Sequence, residues 1–119
     1  MESVDVLELG RQQLESARTS GRSRAAKALH PGRHHRLRQT LIALLTGEAL
    51  GEHEAPPEAT LQVLSGQVRL TAGEDSWQGR TGDLVIIPDR RHDLLALADS
   101  IVLLTTVVDA PGGPITFMG

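Results

Sequence analysis

The sequence predicts an all-β fold, an antiparallel β-barrel with one short helix at its N-terminal side. Two observations carry this. Short apolar segments recur with turn signals about every eight to twelve residues, the spacing of strands in a sandwich or barrel. Within Arg36–Thr46, Leu37, Leu41 and Ala43 share one strand face while Arg36, Arg38 and Thr40 share the other, before both faces turn apolar. A strand polar at one end of a face and wholly apolar at the other suits a barrel wall. A closed barrel also suits 119 residues, because it builds a modest core without free sheet edges.

Taken in order, Val4, Val6 and Leu7 open a short strand or loop. Leu7, Leu14 and Ala17 could then share a helical face that ends at Thr19-Ser20-Gly21. Gly10 lies inside this stretch and weakens the helix. Residues 23–29 form an edge strand closed by the His30-Pro31-Gly32 turn, and 36–46 form the first wall strand. Residues 60–65 and 67–72 pair around Gly66, and Gly73-Glu74-Asp75 makes the next turn. Strands at 84–87, 92–98 and 101–108 complete the set. The chain divides into an N-terminal strand, helix and basic segment over 1–35, a barrel over 36–110, and a loose tail over 111–119.

Composition removes several function classes. With no cysteine, no disulfide, thiolate nucleophile or thiolate metal site is available. No apolar run reaches membrane-spanning length and no signal-peptide pattern follows Met1, so the cytoplasm is the expected location and no membrane partner is expected. Charge is uneven within a net −3: residues 11–38 hold eight Arg or Lys against Glu15 alone, whereas 48–58 hold four Glu. The aromatics are Trp77 and Phe117, too few for a single-strand nucleic-acid platform. The basic segment 22–38 has no recognition-helix pattern, so at most weak, salt-sensitive DNA binding is expected.

Two glycine-punctuated blocks carry the chemistry. In the first, Gly47 is followed after five residues by His53, and Gly66 closes the block. In the second, Gly82 is followed after five residues by Pro88, with His92 shortly after. This frame, over roughly residues 36–108, resembles the cupin family, whose blocks run G(X)5HXH(X)3-4E(X)6G and G(X)5PXG(X)2H(X)3N. Against that pattern, Ala55 stands where the family has its second His and Ala59 where it has Glu. Arg90 replaces the Gly, His92 comes one residue early, and Ala96 replaces the Asn. The resemblance implies a jelly-roll barrel in which His53 and His92 meet on the inner wall, without the family's usual four-ligand metal site.

A metal site needs a third protein ligand beside those two histidines. Glu58 is the candidate, but it lies one residue before the family position, and a slip of one turns a strand residue to the opposite face. His53, His92 and Glu58 are therefore the metal candidates, for no cofactor or for a weakly bound divalent ion such as zinc, iron, nickel or manganese. Arg36 and Arg38 could point into the barrel mouth or outward, and the resemblance places the loop carrying Arg90 and Arg91 at that mouth. With His53 and His92, residues Arg36, Arg38 and Arg90 make up the ligand-binding candidates. The segment His30 to Arg36 suits an anion better than a metal, because arginines repel a cation.

These residues leave three functions open. The first is a small cupin domain binding a small polar or anionic metabolite, without strong catalysis. The second is a metal-dependent enzyme of oxygenase or isomerase type, so enzymatic activity stays open. The third is a regulatory or interaction module. A homodimer is expected, with the apolar strands 24–29 and 101–108 pairing across a two-fold axis.

Overall fold

The computed structural model describes residues 1–29, 35–51 and 58–108. The expected loose tail, the His30–His34 part of the basic segment and His53 lie outside the described residues.

Helix α1 spans Val6–Ser20. It starts two residues earlier than a leading strand at Val4–Leu7 would allow, because Asp5 caps it: its carboxylate accepts from the Glu8 amide at 3.1 Å. Gly21, with φ 72°, ends it in the left-handed conformation. Gly10 and Ala17 are the buried residues of the helix. Both are small, and that lets α1 lie close over the sheet: a Cβ on Gly10 would fall 2.6 Å from Cγ2 of Ile101. The glycine that weakens the helix locally is therefore its contact point.

Among the described residues eight strands follow: β1 Arg24–Ala28, β2 Leu37–Leu44, β3 Glu58–Ser65, β4 Gln67–Ala72, β5 Asp75–Arg80, β6 Leu84–Ile86, β7 Asp93–Ala96 and β8 Ser100–Val107. They form two antiparallel sheets, ordered β1-β2-β8-β3-β6 and β5-β4-β7. The expected all-β antiparallel fold with a short N-terminal helix is what the chain adopts. The segment Gly47–Gly51 joins the sheets by running along β7. Gly47 donates to the Ala96 carbonyl at 2.8 Å, Ala96 to Glu48 at 3.0 Å, and Leu50 to Leu94 at 3.0 Å.

One expectation about strand pairing is corrected. Strand β8 lies between β2 and β3, with both edges hydrogen-bonded, so it has no edge to offer across a two-fold axis. Of the two strands expected to pair there, only β1 is at a sheet edge.

Period-two alternation sorts each strand into faces. On β2, Arg38, Thr40, Ile42 and Leu44 turn inward, while Leu41 and Ala43 are fully buried on the outer face beneath α1. Ile42, Leu61, Val63, Val68, Leu70, Leu94, Val102 and Leu104 form the body of the core between the sheets. Among the described residues, no helix is long and apolar enough to cross a membrane.

Candidate functional site

The inner wall changes character along its length, and the strand register shows how. Arg38 pairs with Thr106, and Thr106 with Ala59, across β2, β8 and β3. The next inward row is Thr40, Leu104 and Leu61, and the one beyond it is Ile42, Val102 and Val63. One end of the barrel is thus polar or small, and leucine and valine close the floor beneath it. The β3–β4 hairpin turns at Gly66 at the apolar end, so the start of β3 and the end of β4 return to the polar end together. Thr71 pairs with Asp93, which sets Ala72 and His92 beside each other one step further toward that end.

Arg38 is 4% exposed and His92 1%, and Thr40 and Thr106 are also buried. Among the described residues no Asp or Glu is buried. The polar wall that these residues build holds a guanidinium, an imidazole and two hydroxyls. A guanidinium's planar fork matches the geometry of a carboxylate or phosphate.

His92 is oriented by the backbone. Its Nδ1 lies 2.9 Å from the Arg90 carbonyl oxygen. A carbonyl only accepts, so Nδ1 carries the proton, and in the neutral ring the lone pair falls on the buried Nε2. His92 alternates with Leu94 and Ala96, both core residues, so the ring faces inward.

The other candidates separate. Arg36 precedes β2 and is exposed, so only one of the two alternating arginines enters the barrel. Glu58 begins β3 and is exposed, while the next residue, Ala59, is buried. The one-residue slip therefore turns Glu58 to the outer face, which removes it from a shared ligand set with His92. Arg90 is half-exposed and ion-paired to Asp75 at the barrel rim. His53 lies outside the described residues, so its meeting with His92 is not part of this geometry.

Among the described residues no group of three or more His, Cys, Asp or Glu could hold a metal ion. On the described inner wall, His92 has the chemistry of a metal ligand, its Nδ1 held by a carbonyl and its Nε2 buried. The rest of the described wall supplies Arg38, hydroxyls and alanine, which do not complete a donor set for a cation.

Trp77 was not among the candidates from sequence. It faces inward from β5, paired with Leu70. An open groove of about 110 Å³ is lined by Leu70, Ala72, Ser76, Trp77, Val85 and Pro88, together with the ion-paired Asp75 and Arg90. The indole lies over Gly79: a Cβ there would come within 2.7 Å of Cζ3 of the ring. The signal was a small residue two positions from an aromatic on one strand face, which is also compatible with plain solvent exposure.

No family model matches the sequence, and no curated protein matches it either. Solved structures do resemble the fold. An RmlC-like cupin protein of Desulfovibrio desulfuricans superposes with a TM-score of 0.69 at 20% identity, over 90% of this chain and 96% of that one. A cupin superfamily protein of Desulfitobacterium hafniense gives 0.66 at 20% identity, over 72% and 78%. Salicylate 1,2-dioxygenase of Pseudoaminobacter salicylatoxidans gives 0.71 at 13% identity, over 89% of this chain and 34% of its own. At such identities the likeness is one of architecture. The strand order, the inward-facing wall and these superpositions agree: the chain has the cupin fold.

Proposed function

We propose that the protein binds a small anionic metabolite, a carboxylate by preference, at the polar end of the barrel. The observation that carries this reading is Arg38, 4% exposed on the inner face of β2 and in register with Thr106. A guanidinium and a hydroxyl side by side in a low-dielectric wall favour a carboxylate over a neutral isostere. His92 offers a further polar atom at the same end. The wall contains no described pair of carboxylates and no described nucleophile–base pair, and binding without strong catalysis is the function these groups support.

Calorimetric titration with acetate and acetamide tests it. Acetate should bind and acetamide should not, and Arg38→Met should weaken acetate at least about tenfold, the loss of one charge-assisted interaction. Arg38→Lys should retain part of the binding. Equal binding of acid and amide, or binding unchanged in Arg38→Met, would overturn the reading.

A metal-dependent enzyme is the second reading, favoured by the orientation of His92. Its test is metal analysis of purified protein. Near-stoichiometric zinc, iron, nickel or manganese that is lost in both His92→Ala and His53→Ala would favour it, and well under one equivalent is expected.

A further inference from the structure

We infer that the outer face of the larger sheet is an interface between two copies of this chain, with Leu84 and Ile86 at its centre. The inference does not depend on what the barrel binds.

Exposure singles out these two residues. Leu84 is 59% exposed and Ile86 78%, on a strand of three residues. They stand two positions apart, so both side chains project from one face. Register identifies that face as the outer one. Ile86 pairs with Thr60 and Leu84 with Gln62, whereas the alternate residues Ala59, Leu61 and Val63 are buried. Single apolar residues scattered over a surface are ordinary, but adjacent ones mark a contact site.

The same rows continue across the sheet without charge. Thr60 pairs with Thr105 and Gln62 with Leu103 on β8, and Gln39 of β2 donates to the Thr105 hydroxyl at 3.4 Å. Glu58 stands at the margin, one row further out. Helix α1 covers the rest of this face, packing on β1, β2 and β8, so β6 and its neighbour rows form a shelf beside it. Leu7, one turn before the buried Gly10 on the sheet-facing stripe, is 47% exposed and adds an apolar flank.

Other surfaces are built differently. The outer face of the smaller sheet carries Arg69, Arg80 and Asp93. The edge strand β1 carries Arg24 and Lys27, and charges on an edge oppose strand-to-strand pairing. A second copy is therefore met by a face and not by that edge.

Symmetry names the occupant. In a two-fold contact the same patch lies on both sides, so a charge near the axis faces its own copy and is repelled. A patch of leucine, isoleucine, threonine and glutamine meets itself without that cost. A foreign partner selected by charge pattern finds nothing to read on it. Size sets the affinity. Three strands at about 4.8 Å and five residues at about 3.4 Å give a shelf of roughly 15 by 17 Å. That is less than the roughly 800 Å² each partner gives to a standard interface, so the dissociation constant should be on the order of 10–100 µM.

Sedimentation of the whole protein from about 1 µM to about 1 mM, which brackets that constant, tests the inference. Monomer should pass to dimer with a midpoint of that order. Ile86→Lys and Leu84→Lys should each weaken the dimer at least about tenfold. Gln78→Lys, exposed on the outer face of the smaller sheet, should leave it unchanged. At about 1 µM, where the chain is monomeric, the lysine variants should melt with the wild type. Raising salt from about 0.05 to 0.5 M should not dissociate the dimer, because no ion pair holds it. Should a lysine variant fail to fold, Leu84→Gln with Ile86→Gln makes the face polar without charge and should weaken the dimer likewise. A protein that stays monomeric at 1 mM overturns the inference. So does a dimer unmoved by these substitutions. A dimer that dissociates as salt rises also overturns it, since the basic residues of 11–38 and the acidic ones of 48–58 would then hold the copies together.

Discussion

Gly66 lies against Asp99 with no room for a side chain: a Cβ on Gly66 would come 2.5 Å from the Asp99 carbonyl oxygen and 2.7 Å from Cα of Ser100. The contact holds the β3–β4 turn onto the start of β8. Gly66 also has φ 106°, which an L side chain rarely adopts. Gly66→Ala should therefore destabilise by about 3 kcal/mol or more, combining backbone strain and overpacking. Denaturant unfolding measures this, and a change below about 1 kcal/mol would show that the turn can shift aside.

Ser100, fully buried, carries the polar side of that same junction. Its hydroxyl accepts from the Gln67 amide at 3.0 Å and can donate to the Ala98 carbonyl at 2.7 Å. Ser100→Ala leaves the Gln67 amide without this partner, at a cost of about 1–3 kcal/mol. Ser100→Cys, similar in shape but a weaker acceptor, should recover only part of it. A neutral Ser100→Ala would mean that water replaces the hydroxyl.

Gly10 sets two effects against each other. Alanine in mid-helix normally gains about 1 kcal/mol over glycine. Here its methyl would meet Cγ2 and Cδ1 of Ile101 at 2.6 and 2.9 Å, and overpacking costs about 1–3 kcal/mol. The clash should win, so Gly10→Ala should lower the melting temperature. Gly10→Ala combined with Ile101→Val, which removes Cδ1, should be less harmful than the sum of the two changes. An increase in stability from Gly10→Ala alone would show that α1 rides up at little cost.

Asp99 gives the fold a defined response to acid. The backbone amide of Thr46, at 2.8 Å, lowers its pKa most, helped by the Thr46 hydroxyl at 2.9 Å and the hydrogen bond from Arg18 at 3.1 Å. Its folded pKa lies below its ordinary 3.8, so the unfolded chain takes up a proton first as the pH falls. The contribution is complete well above 3.8 and is lost as the pH drops through the lower folded value. The stability gap between wild type and Asp99→Asn should be widest near neutrality and shrink in acid. A gap independent of pH would remove the carboxylate's role.

Much of this could be read from the sequence, for local reasons. The spacing of Gly47, Gly66 and Gly82 is visible because all three take positive φ, a demand that the residue type itself expresses. The slip of Glu58 relative to Ala59 is visible because a strand's period is two. Which of Arg36 and Arg38 enters the barrel was not, since that depends on where β2 begins. The register of β2 against β8 decides it, and that is a tertiary fact. The sequence around Asp5 predicts a strand or loop although Asp5 caps α1, because capping residues and turn residues are the same few types. The groove is not legible in the sequence because Trp77, Val85 and Pro88 come together only when β5 and β6, from different sheets, face one another.

The position of β8 has a consequence for how the chain reaches this shape. Its residues Ser100–Val107 pair with β2 and β3, strands made some forty to sixty residues earlier. During synthesis, at roughly 5–20 residues per second, β2 and β3 emerge several seconds before the strand that belongs between them. Until then their facing edges are open to other pairings, with each other or with a neighbouring chain. The basic residues near β1 and the glutamates between β2 and β3 would keep such nascent chains soluble during that interval. Completion of the larger sheet is then a late, all-or-none insertion, so loss of a few residues from β8 should cost the whole fold and not merely its last strand.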